Sequence, residues 1–260
     1  MNFIVCIKQV PDTTDIKIDP DTNTLIREGV ESIINPFDLY AIEEAIRLKE
    51  KYGGKITAIS MGPPQVESAL REAVAIGVDE IILLTDRKFA GADTLATSLT
   101  LAEAIKKVEE YNIILFGQQA IDGDTAQVGP GVATHLGLPQ TCFVRKVEDI
   151  KNDRITVQRL MEDGYDRVEM PLPAVISVVK EINIPRLPSL RGKRNAKKTE
   201  MKTWTASDLE LDENIVGLNG SPTQVIKIFS PDLKKNGEKY ELPSEELVEI
   251  LSNKLKELGK

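Results

Sequence analysis

The stretch FGQQAIDGDTAQVGP, Phe116 to Pro130, holds the residue types best suited to gripping an anion. An apolar run ends at Gly117. A loop made flexible by Gly123 follows, and a helix is expected from near Thr125, with Asp124 at its N-cap. Unpaired N–H groups at a helix N-terminus favour a phosphate. The loop has no lysine, no glycine-rich dinucleotide pattern and no P-loop, so it reads equally as a well-capped connection. FAGADTLATS, Phe89 to Ser98, is a second entry of this kind. Asp93 stands at its N-cap, and the hydroxyls of Thr94, Thr97 and Ser98 either face a ligand or bond the backbone. In INPFD, Asn35 stands at an N-cap and Pro36 at the first helical position, a pattern that capping alone explains. Cys6 and Met61 end apolar runs and read as core. His135, the one histidine, lies in a helical pattern as a structural or surface residue. The pairs Asp19/Asp21 and Glu43/Glu44 read as solvated charges. No metal, nucleophile or paired-carboxylate pattern has the right context, so no side chain is given a catalytic role and no metal is expected. Any chemistry belongs to a bound cofactor.

These loops need strands and helices to bring them together, and the pattern of the chain supplies them. Short apolar runs (Phe3 to Val10, Lys55 to Met61, Glu80 to Thr85, Asn112 to Gly117, Leu172 to Lys180) alternate with helical stretches (Pro36 to Lys51, Val66 to Ile76, Asp93 to Val108, Asp124 to Leu136). Alternation in units of about 25–30 residues predicts an α/β fold, a doubly wound and mostly parallel sheet covered by helices. Ligands on such sheets sit beyond the carboxyl ends of the strands, where the loops above all fall. Arg154–Leu160 and Asp166–Met170 form an expected hairpin. Pro185 and Pro188 predict an extended segment over 180–202. Residues 203–242 look irregular, and Ser244 caps a last helix to about Leu258.

Composition narrows the function. Of 260 residues, 33 are Lys or Arg and 41 Asp or Glu, a net charge of −8 that argues against a general nucleic-acid binder. Aromatics at 5% give little for base stacking. Cys6 and Cys142 cannot build a disulfide framework and suit a reducing compartment, here the cytoplasm. No apolar stretch is long enough for a membrane span, and the first residues do not read as a signal peptide. Residues 180–202 carry eight Lys/Arg and two Glu, a net +6 that leaves −14 for the remainder. Within this strip Leu190 is an apolar tooth beside Arg191, a combination suited to protein docking, with a solvated linker as the alternative.

With VCIKQVPDT near the start, INPFD, SMGPP, GQQAIDGDTAQVGP, EDGYDRVEMPLPAVISV and PRLPSLRGKRNAKK in this order, the chain resembles the beta subunit of electron-transfer flavoproteins. The resemblance runs through nearly the whole chain and is least sharp after Trp204. It implies an adenine nucleotide α-hydrolase-like domain over 1–183, a partner-recognition loop over 184–202 and a C-terminal arm over 203–260 packing on a larger alpha subunit with its own FAD. It places a nucleotide against Cys6, Asn35, Pro36, Phe37, Asp38, Met61 and the loop residues Gly117, Gln118, Gln119, Ala120, Ile121, Asp122, Gly123, Asp124, Thr125, Ala126, Gln127 and Val128. VPDT, GADTLAT and the run Gly123-Asp124-Thr125 are similar to the electron-bifurcating branch. There the beta subunit holds FAD and exchanges hydride with NAD(H) as part of an oxidoreductase, and AMP is the alternative of conventional members. On that reading Asp93, Thr94, Thr97 and Thr125 give polar contacts to the longer cofactor. Implied partners are ferredoxin or flavodoxin and a flavin dehydrogenase of acyl-CoA or 2-hydroxyacid type. The dehydrogenase docks on Leu190 with Arg186, Arg191, Lys193 and Arg194. A reading from another class, a free nucleotide-binding regulator on the same fold, lacks any use for the recognition loop.

Overall fold

The computed structural model describes residues 1–12, 32–226 and 237–258. Thr13 of VPDT and the pair Asp19/Asp21 lie outside them. The described chain forms two compact units, Met1–Ile226 and a second within Lys227–Lys260.

The first unit is built on strands β1 (Asn2–Cys6), β4 (Lys55–Met61), β5 (Glu80–Leu84), β6 (Ile113–Gly117), β7 (Gln140–Lys151), β8 (Arg154–Met161), β9 (Gly164–Pro171), β10 (Ala174–Val178) and β11 (Met201–Trp204). Their order is β11-β5-β4-β1-β6-β10-β7-β8-β9. All pairings from β11 to β7 are parallel, and β7-β8-β9 is an antiparallel meander. A pair of short strands, β2 (Gln9–Pro11) and β3 (Ser32–Ile34), stands apart. The expected single strand over Phe3 to Val10 therefore breaks at Ile7–Lys8, where the chain leaves the sheet to pair with β3.

Alternation along each strand builds a core on both sheet faces. Phe3 and Val5 of β1 join Ile113 and Leu115 of β6 under helices α1 (Pro36–Tyr52) and α2 (Glu67–Ile76). Ile4 and Cys6 join Ile114 and Phe116 under α3 (Thr94–Lys106) and α4 (Val128–Leu136). Each such buried Ile or Leu stabilises the fold by about 1.5–3 kcal/mol. Pro36 starts α1, Lys49 and Lys51 complement its last turn, and Gly53 ends it at φ 72°. On the second face, a Cβ on Gly131 of α4 would lie 2.6 Å from Ser98 Oγ of α3, so only glycine allows these helices to pack this closely.

Two expectations fail after β10. The basic segment is not simply extended: α5 (Leu190–Ala196) forms, capped by the Ser189 hydroxyl accepting from the Gly192 N–H at 2.9 Å. A Cβ on Gly192 would meet the carbonyl of Ala75 at 2.0 Å, so α5 lies hard against the end of α2. The stretch expected to be irregular from residue 203 opens inside a strand, because β11 runs to Trp204 and completes the sheet beside β5. The two prolines set the extended approach, and a local cap then outweighs them. In the second unit, α6 (Ser244–Leu258) carries Val248, Leu251 and Leu255 exposed along one stripe. Among the described residues no helix is long and apolar enough to cross a membrane.

Candidate functional site

The connections from β1 and β6 leave in opposite directions, β1 toward β4 and β6 toward the β10-β7 side. In sheets of this architecture such a reversal marks a crevice at the carboxyl ends of the two strands, where ligands bind. Cys6 pairs with Phe116 there, and Gly117 ends β6. A Cβ on Gly117 would lie 2.4 Å from Asp38 Oδ1 and 2.6 Å from the Phe37 carbonyl carbon. Glycine is thus what lets the start of α1 press against the end of β6.

The INPFD turn fastens this edge. Asn35 is fully buried and occupies the N-cap position, yet its side chain caps nothing. Its Nδ2 donates to the Gln119 carbonyl at 2.8 Å, and its Oδ1 accepts from the Ile121 N–H at 3.1 Å. It holds the loop after β6 rather than its own helix. Asp38 Oδ2 accepts from the Lys8 N–H at 2.7 Å, while the Asn35 N–H donates to the Lys8 carbonyl at 2.8 Å. Burial pushes the Asp38 carboxyl up to about 7, against the opposing pull of the Lys8 N–H, Asn35, the Gly117 N–H and the Lys8 ammonium. Burial, and then the Asp38 charge, push the Cys6 thiol well above its usual range, so Cys6 is a floor residue and not a nucleophile.

The loop itself departs from expectation. Helix α4 begins at Val128, not near Thr125, and Asp124 is not its N-cap. The Asp124 N–H bonds the Ala120 carbonyl at 2.8 Å, and Asp124 and Ala126 take φ of 49° and 53°. Left-handed residues break the helical run, which the capping-like sequence Asp-Gly-Asp concealed. Gln119 Nε2 donates to Asp124 Oδ1 at 2.7 Å and fixes the turn. Among the described residues the N–H groups of Thr125, Ala126 and Gln127 have no acceptor. They form a lip of backbone donors leading into the N-terminus of α4, a kind of terminus that favours negative charge. Gly123 is exposed, with nothing within 4 Å of where its Cβ would be, so this lip is open.

The other expected residues gather around the same edge. Met61 is half-buried at the end of β4, as are Pro36 and Phe37 at the start of α1 and Gln118 just after β6. Thr94 Oγ1 donates to Gln127 Oε1 at 2.9 Å, joining the start of α3 to the loop. Ser98 is buried and bonds the Leu95 carbonyl. Asp93 caps α3 by accepting from the Leu95 and Ala96 N–H groups at 2.9 and 3.1 Å. Its other oxygen accepts from the Thr223 N–H and hydroxyl at 3.1 and 2.8 Å. Burial raises the Asp93 carboxyl, but these donors outweigh it and hold the group below its usual range. Its role in this structure is to cap and tether.

The basic segment lies elsewhere. Leu190 is 83% exposed, and Ile184 and Leu187 are as bare, a row the sequence reading did not single out beyond Leu190. Arg191, Lys193 and Arg194 are exposed and form no ion pair among the described residues. Arg186 differs: its guanidinium clasps Glu43 at 2.8 Å and Glu50 at 2.6 Å. Glu43 and Glu44 are buried, not solvated as expected. Burial opposes the charge on Glu43, but Arg186 and Arg47 hold its carboxyl below the usual range. Burial pushes Glu44 up, with Asn183 opposing. Arg47 is one helical turn away, but Arg186 and Asn183 lie about 140 residues on in sequence, where helical spacing could not reveal them. A cleft of about 420 Å³ between the turn entering β5 and α5 is lined by Asp79, Arg191 and Lys198, at the amino edge of the sheet and away from the lip.

Comparison with known proteins adds the following. The electron transfer flavoprotein domain matches residues 22–209. An electron transfer flavoprotein subunit beta of Thermoanaerobacterium thermosaccharolyticum is 55% identical over 98% of both chains. One from Clostridium acetobutylicum is 52% identical over 99% of this chain and 98% of its own. Subunit CarD of the caffeyl-CoA reductase-Etf complex of Acetobacterium woodii is 48% identical, over 92% of this chain and 91% of its own.

Proposed function

Since the chain belongs to the electron transfer flavoprotein family, as a beta subunit, we propose that its carboxyl-edge crevice binds FAD and that it works as the NAD-linked subunit of an electron-bifurcating or confurcating complex. The observation that carries this reading is the lip of unpaired N–H groups at Thr125, Ala126 and Gln127 beside an open Gly123. The donors suit a diphosphate, and the open position leaves room for a cofactor longer than a mononucleotide. Cys6 and Met61 give an apolar floor, Asn35 keeps the loop in place, Asp38 holds the chain leaving β1, and Thr94, Thr97 and Thr125 offer hydroxyls near the start of α3 and the loop. When bound, the flavin supplies hydride exchange with NAD(H) and one-electron transfer, chemistry that no side chain here provides.

The protein's own part is placement. Leu190, Arg191, Lys193 and Arg194 form the docking face for a flavin dehydrogenase, and Arg186 fixes the root of that face on α1. The apolar stripe of α6 packs on the alpha subunit. A ferredoxin or flavodoxin takes the low-potential electron, and the complex works in the cytoplasm. The test is cofactor stoichiometry in the purified heterodimer. Two FAD are expected; one FAD with one AMP identifies a conventional electron carrier instead. Gly123→Glu should keep the fold, since the position is open, and expel the beta-subunit FAD by like charge and bulk. Retained flavin would move the site away from this lip.

A further inference from the structure

Lys8, in the link that follows β1, is the cation joined to the lip. Its Nζ lies 2.6 Å from Asp122 Oδ1, with the two side chains 49% and 29% exposed. Residues 116–130 contain Asp122 and Asp124 and no lysine or arginine, so the loop alone would repel an anion. Asp124 already accepts from Gln119. Asp122 is held by Lys8, three residues before the first unpaired N–H. The backbone of Lys8 is fixed on both sides, its N–H on Asp38 at 2.7 Å and its carbonyl under the Asn35 N–H at 2.8 Å. Only the side chain is left to move, from a root set in the floor of the crevice. An exposed ion pair of this kind biases an equilibrium by about fivefold at most, so a doubly charged phosphate beside backbone donors can displace the carboxylate.

We infer that Lys8 is the phosphate-binding cation of the crevice, parked on Asp122 until a nucleotide phosphate takes its ammonium. The inference rests on the nucleotide reading of the site. It makes Lys8 and Asp122 a pair with opposite effects: the first attracts phosphate, and the second competes for the attracting group.

The full-length chain, stripped of nucleotide, is titrated with AMP and with adenosine, which differ only in the phosphate. Lys8→Gln should weaken AMP about tenfold or more and leave adenosine unchanged, and Lys8→Arg should recover most of the loss. Asp122→Asn should tighten AMP about threefold, again without effect on adenosine. Raising the salt should weaken AMP binding to the wild type more than to Lys8→Gln, because screening acts on the ion contact. Equal losses for AMP and adenosine would make Lys8 a structural residue and overturn the inference. So would an unchanged AMP affinity in Lys8→Gln. A wild-type chain that binds neither compound would overturn the nucleotide reading itself and this inference with it.

Discussion

The carboxyl edge of the sheet and the basic segment are both candidate contact surfaces, and they are built in opposite ways. At the edge the functional groups are backbone N–H donors, and side chains work from behind to hold them: Asn35 grips the loop, Asp38 grips the strand end, and both are buried. In the basic segment the functional groups are the side chains themselves, bare at Ile184, Leu187 and Leu190, on a backbone held from below by Arg186 and Gly192. A ligand that must be placed precisely among redox partners calls for the first design. A protein partner that must be found and released suits the second, with few exposed anchors and free charge.

The contrast can be broken at its strongest point with Asn35→Ala. This leaves the Gln119 carbonyl and the Ile121 N–H without their partner, about 1–3 kcal/mol for each group. Nucleotide affinity should fall roughly 100-fold, at about 1.4 kcal/mol per tenfold, and amide exchange should quicken across 117–128. Normal protection of that loop would show that the edge is not held from behind. Next in size is Arg186→Gln. Buried Glu43 loses one of its two guanidinium partners, so denaturant unfolding should report about 2 kcal/mol of lost stability, below the full cost of an unpaired buried charge because Arg47 remains. No change would mean that the basic segment rests on the domain without being fastened to it.

A third effect is a pH slope. Asp38 goes from an ordinary 3.8 to about 7 in the folded chain, so the folded state holds its proton more firmly than the unfolded state does. Its contribution to stability is complete below about 4 and is lost as pH rises through about 7. Asp38→Asn keeps an acceptor for the Lys8 N–H and cannot ionise. Urea midpoints at pH 5 and pH 8 should therefore lie closer together in the variant than in the wild type. Equal separations would show that Asp38 is already ionised at pH 5.

Much of this was legible in the sequence, and what was not has physical reasons. The alternating apolar runs predicted the parallel sheet and the edge where its loops collect. Capping grammar located α1, α2 and α3 correctly because caps are local. The same grammar misplaced the start of α4, since Asp-Gly-Asp serves a left-handed turn as readily as a cap. It also put Asn35 at the right position with the wrong task, because the loop it grips lies more than 80 residues on. The charged pair Glu43/Glu44 looked solvated because two of its compensating groups, Arg186 and Asn183, come from beyond β10, and only Arg47 is within reach of the helical pattern. A helical pattern records the face a residue occupies, not which distant group will cover it.

The position of β11 carries a consequence for how the chain is made. Met201 pairs with Ile81 and Trp204 with Leu84, so the last strand of the parallel sheet waits for most of the polypeptide to be synthesised. Until then the outer side of β5 is an open edge of Glu80–Leu84, largely apolar and able to pair with another nascent chain. The basic segment lies just before β11 and runs against α2 on the way to closing that edge. Seating of the basic segment and closure of that edge are therefore linked along the chain: a molecule in which the segment did not seat would leave the apolar side of β5 unpaired.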